Sequence, residues 1–218
     1  MTDPNALPVS VPVRLKSSQD AINLIVTSEV SSEAAYNKLY QHPTWPGGMS
    51  GVTVAIGYDC GYATADQIDE DWADKLPLEM VEALQDVAGI TGPAASSHAH
   101  AIVGVVTVPW DAAMAVFEGR DMPKWEGIVA RALPNTDRLS GDSFGALVSL
   151  TYNRGASFSA PGARFMEMRA IHQHMAHGTF GLIPNDLRAM KRLWPNALGL
   201  RLRRDHEAAL FAKGLPVA

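Results

Sequence analysis

Only one stretch of this chain reads as β structure, and it is short. Residues 52–62, VTVAIGYDCGY, carry β-branched Val52, Thr53 and Val54 at the start and glycines at 57 and 61. That is the pattern of a short strand running into a turn. A loop rich in proline and glycine, HPTWPGGMSG over 42–51, precedes it. From residue 66 onward the pattern is helical nearly throughout. One small β element near the N-terminus of a mostly helical chain reads as an α+β fold. The expectation is a single domain over 18–218, with a small β-containing lobe, a hairpin or sheet, over about 18–75 and a helical lobe over about 76–218. Before it, residues 1–17 hold Pro4, Pro8 and Pro12 and read as an extended lead-in. A chain of 218 residues can bury a core without staples. Its single cysteine, Cys60, excludes an internal disulfide and reads as a small apolar filler rather than a nucleophile.

Helix signals follow in order. Ser17, Ser18 and Asp20 offer N-caps for a helix of about ten residues whose apolar positions are Ile22, Ile25 and Val26. It reaches Glu29 near its end. Residues 33–40 give another turn or two. Further helices are expected at 109–118, 121–132, 141–153, 162–177, 184–193 and 201–212. Residues 89–106 are small and read equally as loop or buried helix. The eight acids between 66 and 86, set against Lys75 alone, read as a solvated helical face.

The charge is uneven. Residues 1–150 carry 8 Lys/Arg and 19 Asp/Glu, a net of −11, while 151–218 carry 10 and 4, a net of +6. The basic back half includes Arg188, Lys191, Arg192, Arg201, Arg203 and Arg204, which suit phosphates or another polyanion such as a bacterial wall polymer. No nucleic-acid motif accompanies them and the whole chain is acidic, so no nucleic-acid partner is expected. Phosphate loops, dinucleotide fingerprints, serine-hydrolase elbows and His-Glu-x-x-His are missing. The histidines at 98 and 100 and at 172, 174 and 177 read as helix-surface residues rather than metal ligands. The N-terminus lacks a basic segment followed by an apolar run, and nothing approaches the ~18 apolar residues of a membrane span. A product made in the cytoplasm, not inserted in a membrane and released by another system is therefore expected.

What remains is Glu29 together with the loop and strand at 42–62. A carboxylic acid near a helix end, facing a glycine-rich strand, suits sugar-chain cleavage, because glycines let a polysaccharide approach the backbone. A proton donor to a glycosidic oxygen needs partial desolvation, and Ile25, Val26 and Val30 lie beside Glu29 in sequence. The plainer reading of Glu29 is a surface acid.

Five segments in order resemble phage-type lysozymes, glycoside hydrolase family 24. They are the helix ending in Glu29; Thr53-Val54-Ala55-Ile56-Gly57-Tyr58; Thr107 to Ala113 with Val116-Phe117; FGALVSLTYNRG at 144–155; and LGLRLRRDHEAALF at 198–211. The resemblance covers about 20–212. It implies a lysozyme-like fold and cleavage of the β-1,4 bond between N-acetylmuramic acid and N-acetylglucosamine in peptidoglycan. The enzyme would be a monomer, with no cofactor or metal. Glu29 matches the general acid and Thr53 the threonine beside the attacking water. Gly57 and Tyr58 match the strand side of the cleft, and Tyr152 and Asn153 the opposite wall. A core aromatic is the competing reading of Tyr152.

The chain departs from the family in its second carboxylate. Glu29 and Thr53 are 24 apart, and the family's Asp position falls on His42. The nearest acid is Asp59. An inverting glycosidase needs a second carboxylate to activate water. Asp59 in that role, Asp59 as a turn-stabilising side chain, His42 as the base, and no base at all remain open. The last is the chemistry of a lytic transglycosylase, in which the sugar's own hydroxyl attacks. A degenerate fold that only binds glycan is the non-enzymatic alternative.

Overall fold

A computed structural model describes residues 15–216. Most of the proline-bearing lead-in therefore lies outside the described residues, and 15–18 carry no regular structure. In chain order the elements are α1 (Gln19–Val30), α2 (Glu33–Leu39), β1 (Thr53–Val54), β2 (Tyr58–Asp59), α3 (Ala65–Trp72), α4 (Leu78–Gln85) and α5 (Ala94–Ile102). There follow α6 (Trp110–Val116), α7 (Met122–Ala132), α8 (Gly141–Arg154), α9 (Met166–His177), α10 (Ile183–Ala189) and α11 (Leu198–Lys213). The described chain is thus mostly helical with one two-stranded antiparallel sheet, the α+β class expected from sequence.

Local chemistry sets the boundaries. The Ser18 hydroxyl accepts from the Ala21 amide at 3.3 Å and caps α1. The helix closes where Ser31 adopts a left-handed φ of 66° and its amide bonds the Thr27 carbonyl at 3.0 Å. Ser32 then caps α2 through the Ala35 amide. Thr64 and Gln67 form a reciprocal capping box at the start of α3. The ambiguous 89–106 segment contains helix α5. A π-helical turn, Phe117–Asp121, joins α6 to α7, so the two helices expected at 109–118 and 121–132 run together.

The chain divides into two compact units, and both boundaries fall inside helices. One is Ile22–Lys124, which holds most of α1, the sheet and the helices through α6. The other joins the described residues up to Ala21 to Trp125 and the helices that follow. The β-containing part is therefore larger than the expected 18–75 lobe, because α4, α5 and α6 belong with it. The charge split follows this division. Ile22–Lys124 carries 4 Lys/Arg and 14 Asp/Glu, a net of −10, and the rest of the chain carries 14 and 9, a net of +5.

In the first unit the buried set includes Ile25, Tyr36, Val52, Val54, Ile56, Tyr58, Ile68, Trp72 and Leu84. Seven of the eight acids at 66–86 are exposed, as a solvated face requires. Asp71 is the exception. In the second unit α8 is buried on every side from Ser143 to Thr151, and it packs against α11. Gly145 makes room for Ser17 and Ala21, since a Cβ there would stand 2.2 Å from the Ala21 Cβ. α10 packs against α9 and α11 and completes the core with Ile171, Met175, Ile183, Leu187 and Phe211.

Candidate active site

The run at 52–62 folds into a hairpin rather than a single strand. Thr53 pairs with Asp59 and Val54 with Tyr58. The reversal uses positive φ angles at Ala55 and Gly57, 55° and 82°. Glycine adopts that conformation freely and alanine does so at a cost. On its other side Thr53 exchanges both backbone hydrogen bonds with Thr44, at 2.8 and 2.9 Å, which ties the 42–51 loop to the hairpin.

Side chains alternate across a strand, so cross-strand partners share a face. Val54 and Tyr58 occupy the buried face, and Thr53 and Asp59 the opposite, half-buried one. This corrects the expectation that Tyr58 lines a cleft. Its hydroxyl donates to Asp71 Oδ2 at 2.8 Å, and its ring meets Trp72 edge-on at 5.2 Å. The Arg120 guanidinium lies 4.3 Å from the ring centroid and pairs with Asp71 at 2.7 Å. Burial and the Asp71 hydrogen bond raise the Tyr58 phenol well above its ordinary range. Tyr58 is a core residue that ties the hairpin to α3 and the π-helical turn. Arg120 also reaches Asp121 at 3.3 Å, and burial pushes the Asp121 carboxyl up to about 6.

Asp59 takes the turn-stabilising role. Its Oδ1 accepts from the Gly51 and Gly61 amides, both at 2.9 Å, and Oδ2 accepts from Gly51 at 3.2 Å. It thereby caps the short helical turn Cys60–Tyr62. A carboxylate so engaged with the backbone is poorly placed to take a proton from water. Thr53 is half-buried, and its hydroxyl donates to the Gly51 carbonyl at 3.3 Å, leaving oxygen lone pairs free to accept. Cys60 is buried, and burial pushes its thiol up to about 12, so it is no thiolate nucleophile.

His42 is exposed and oriented. Its Nδ1 lies 3.2 Å from the Val106 carbonyl, with the Thr107 hydroxyl 3.4 Å from the same nitrogen. A carbonyl only accepts, so Nδ1 donates here and Nε2 is the nitrogen left to exchange a proton. The backbone holds this arrangement, since the Val108 amide bonds the Gln41 carbonyl at 2.8 Å and the Tyr36 hydroxyl bonds the Val108 carbonyl at 3.0 Å. Gly57 is exposed on the hairpin turn.

Glu29 sits in the last turn of α1 and is exposed, whereas Ile25, Val26 and Val30 are buried in the core. Those three side chains do not provide the desolvation anticipated from sequence. Tyr152 and Asn153 belong to the second unit, on α8. Tyr152 is half-buried, its ring 5.2 Å from that of Trp125. Asn153 buries Oδ1 without a hydrogen-bond partner.

Sequence reasoning missed the polar core of that unit. Glu207 and Arg204 are fully buried, and Glu207 Oε1 accepts from Arg204 at 2.6 Å, from Arg203 at 3.3 Å and from the Ser149 hydroxyl at 2.7 Å. The signal was present in RLRRDHE, because residues three and four apart share a helix face. Other cations of the basic half are paired too. Lys191 bonds Asp205 at 2.7 Å, and Arg192 clasps buried Glu167 through Nε at 2.5 Å and Nη2 at 2.9 Å. Four of the six cations named for the anion-docking face are therefore paired within the unit. Among the described residues, no group of three or more His, Cys, Asp or Glu is placed to hold a metal ion, and no helix is long and apolar enough to cross a membrane. The chain matches no protein-family model, and no curated protein is significantly similar to it.

Proposed function

We propose that the chain is a muramidase with a lysozyme-like fold. It hydrolyses the β-1,4 bond between N-acetylmuramic acid and N-acetylglucosamine in peptidoglycan, after another system has released it to the wall. One observation carries the reading beyond the five resembling segments. In the first unit an exposed glutamate, Glu29, lies in the last turn of a helix and a half-buried threonine, Thr53, lies on the less buried face of a hairpin, side chains of the types the reading assigns to proton donation and to holding the water.

Glu29 donates its proton to the glycosidic oxygen as the bond to the anomeric carbon breaks. Thr53 accepts a hydrogen bond from the attacking water, because its own hydrogen is committed to the Gly51 carbonyl. The water's oxygen bonds the anomeric carbon, and its proton passes to the Nε2 lone pair of His42. The tether of Nδ1 to the Val106 carbonyl favours His42 over Asp59 in that role.

A one-acid transglycosylase is the second reading, favoured by the engagement of Asp59 with backbone amides. Mass spectrometry of fragments released from purified walls decides between them. Reducing ends are expected. Anhydromuramic ends, unchanged in yield by His42→Ala, would replace hydrolysis with transglycosylation.

A further inference from the structure

Tyr62 is 70% exposed, yet it is tethered at its tip. Its hydroxyl donates to the Met49 carbonyl at 3.0 Å, and Met49 is itself 68% exposed. An exposed tyrosine ordinarily turns its polar end to water. Here the polar end is spent on the neighbouring loop, and the ring is held in one orientation with apolar surface facing solvent. The Met49 thioether lies over Gly92, its Sδ 3.9 Å from where a Cβ on that glycine would stand.

The loop beneath is equally fixed. The Ser50 carbonyl accepts from the Trp45 indole and from the Gly92 amide, each at 3.0 Å. Gly51 and Gly61 approach so closely that a Cβ on Gly51 would stand 2.4 Å from the Gly61 Cα. The Asp59 carboxylate bridges the amides of those two glycines. Exposed and ordered surface loses little conformational freedom on binding, which is the property of a preorganised contact.

We propose that Tyr62, with Met49 beside it, is a stacking platform for an uncharged N-acetylhexosamine ring of the glycan strand. This rests on the glycan reading of the site. A flat aromatic face and a soft thioether match the C–H face of a pyranose. The surrounding unit carries a net charge of −10, which opposes a nucleic-acid strand as the stacked partner. The platform is also continuous with the chemistry, because Tyr62 closes the turn that Asp59 caps, and Asp59 pairs with Thr53.

The test is calorimetric titration of peptide-free peptidoglycan glycan strands into the full chain, in a Glu29→Gln background so that strands are not consumed. Tyr62→Ala is expected to weaken binding about tenfold, and in the otherwise native enzyme to raise KM on walls by a similar factor with kcat unchanged. Tyr62→Phe keeps the ring and loses the tether, so a loss of about two- to threefold is expected. Tyr62 is exposed, so neither variant should shift the thermal midpoint. Native-like strand binding by Tyr62→Ala would overturn the platform and leave the muramidase reading standing. A fall in kcat alone would overturn it too. A parent that binds no strands would remove both.

Discussion

Asp59 and Gly51 are joined through both carboxylate oxygens, Oδ1 at 2.9 Å and Oδ2 at 3.2 Å from one backbone amide. With the Gly61 amide on Oδ1, this is a clasp between the loop before the hairpin and the turn after it. Asparagine keeps one acceptor oxygen and can preserve the bonds made by Oδ1. Asp59→Asn is expected to lose about 1 kcal/mol of stability and to keep wall-cleaving activity within about threefold, whereas Asp59→Ala loses about 2–3 kcal/mol. Urea unfolding with a turbidity assay on purified walls checks both. A stable Asp59→Asn with activity reduced about a hundredfold or more would make Asp59 the base after all.

The pH dependence of stability should carry the signature of Asp121. Burial raises its folded carboxyl from 3.8 to about 6, against the lowering effect of Arg120 and Lys124, with Asp71 adding to the rise. Below 3.8 both states hold the proton. Between 3.8 and about 6 the unfolded chain ionises while the folded chain stays protonated, so this group lowers stability as pH rises through that window. Asp121→Asn removes the decline and is expected to add about 2 kcal/mol at pH 7. Denaturant midpoints at pH 4, 5, 6 and 7 measure it, and an unchanged slope would contradict it.

The second unit should be sensitive at Glu207. Its carboxyl is raised by burial despite Arg203 and Arg204, and Arg204 is fully buried beside it. Removing the acid leaves that guanidinium without its counter-charge. Glu207→Ala is expected to cost about 3–5 kcal/mol in urea unfolding, and a change below about 1 kcal/mol would refute the role assigned to the network.

Much of the fold was legible because local chemistry agreed with it. Ser18 caps α1 as the sequence suggests, and the helix expected at 141–153 forms as α8 behind its Ser140 cap. The first strand and its turn were legible in Val52, Thr53, Val54 and Gly57, while the return strand Tyr58–Asp59 was read as part of the turn. The burial of Tyr58 was within reach too, because a hairpin that reverses over 55–57 sets it opposite Val54. Other features left no local trace. The unit boundaries lie inside α1 and α7, where no linker composition marks them. The Ala, Ser and His residues of α5 lack an apolar stripe. The inward pairing of Arg192, Arg203 and Arg204 depends on Glu167 and Glu207 being buried, which net charge does not reveal. Within the candidate site, Thr53 and His42 enter through the resemblance alone. The clasp made by Asp59 and the tethered ring of Tyr62 depend on loops that meet only in three dimensions.

Glu29 is the proposed proton donor to the glycosidic oxygen. Glu29→Gln keeps the size and polarity of the side chain and removes the proton. Reducing-end release from purified peptidoglycan by this variant, set beside the parent protein, tests the claim most directly. Release is expected to fall by about a thousandfold with the unfolding midpoint unchanged. Release at the parent rate would contradict the account.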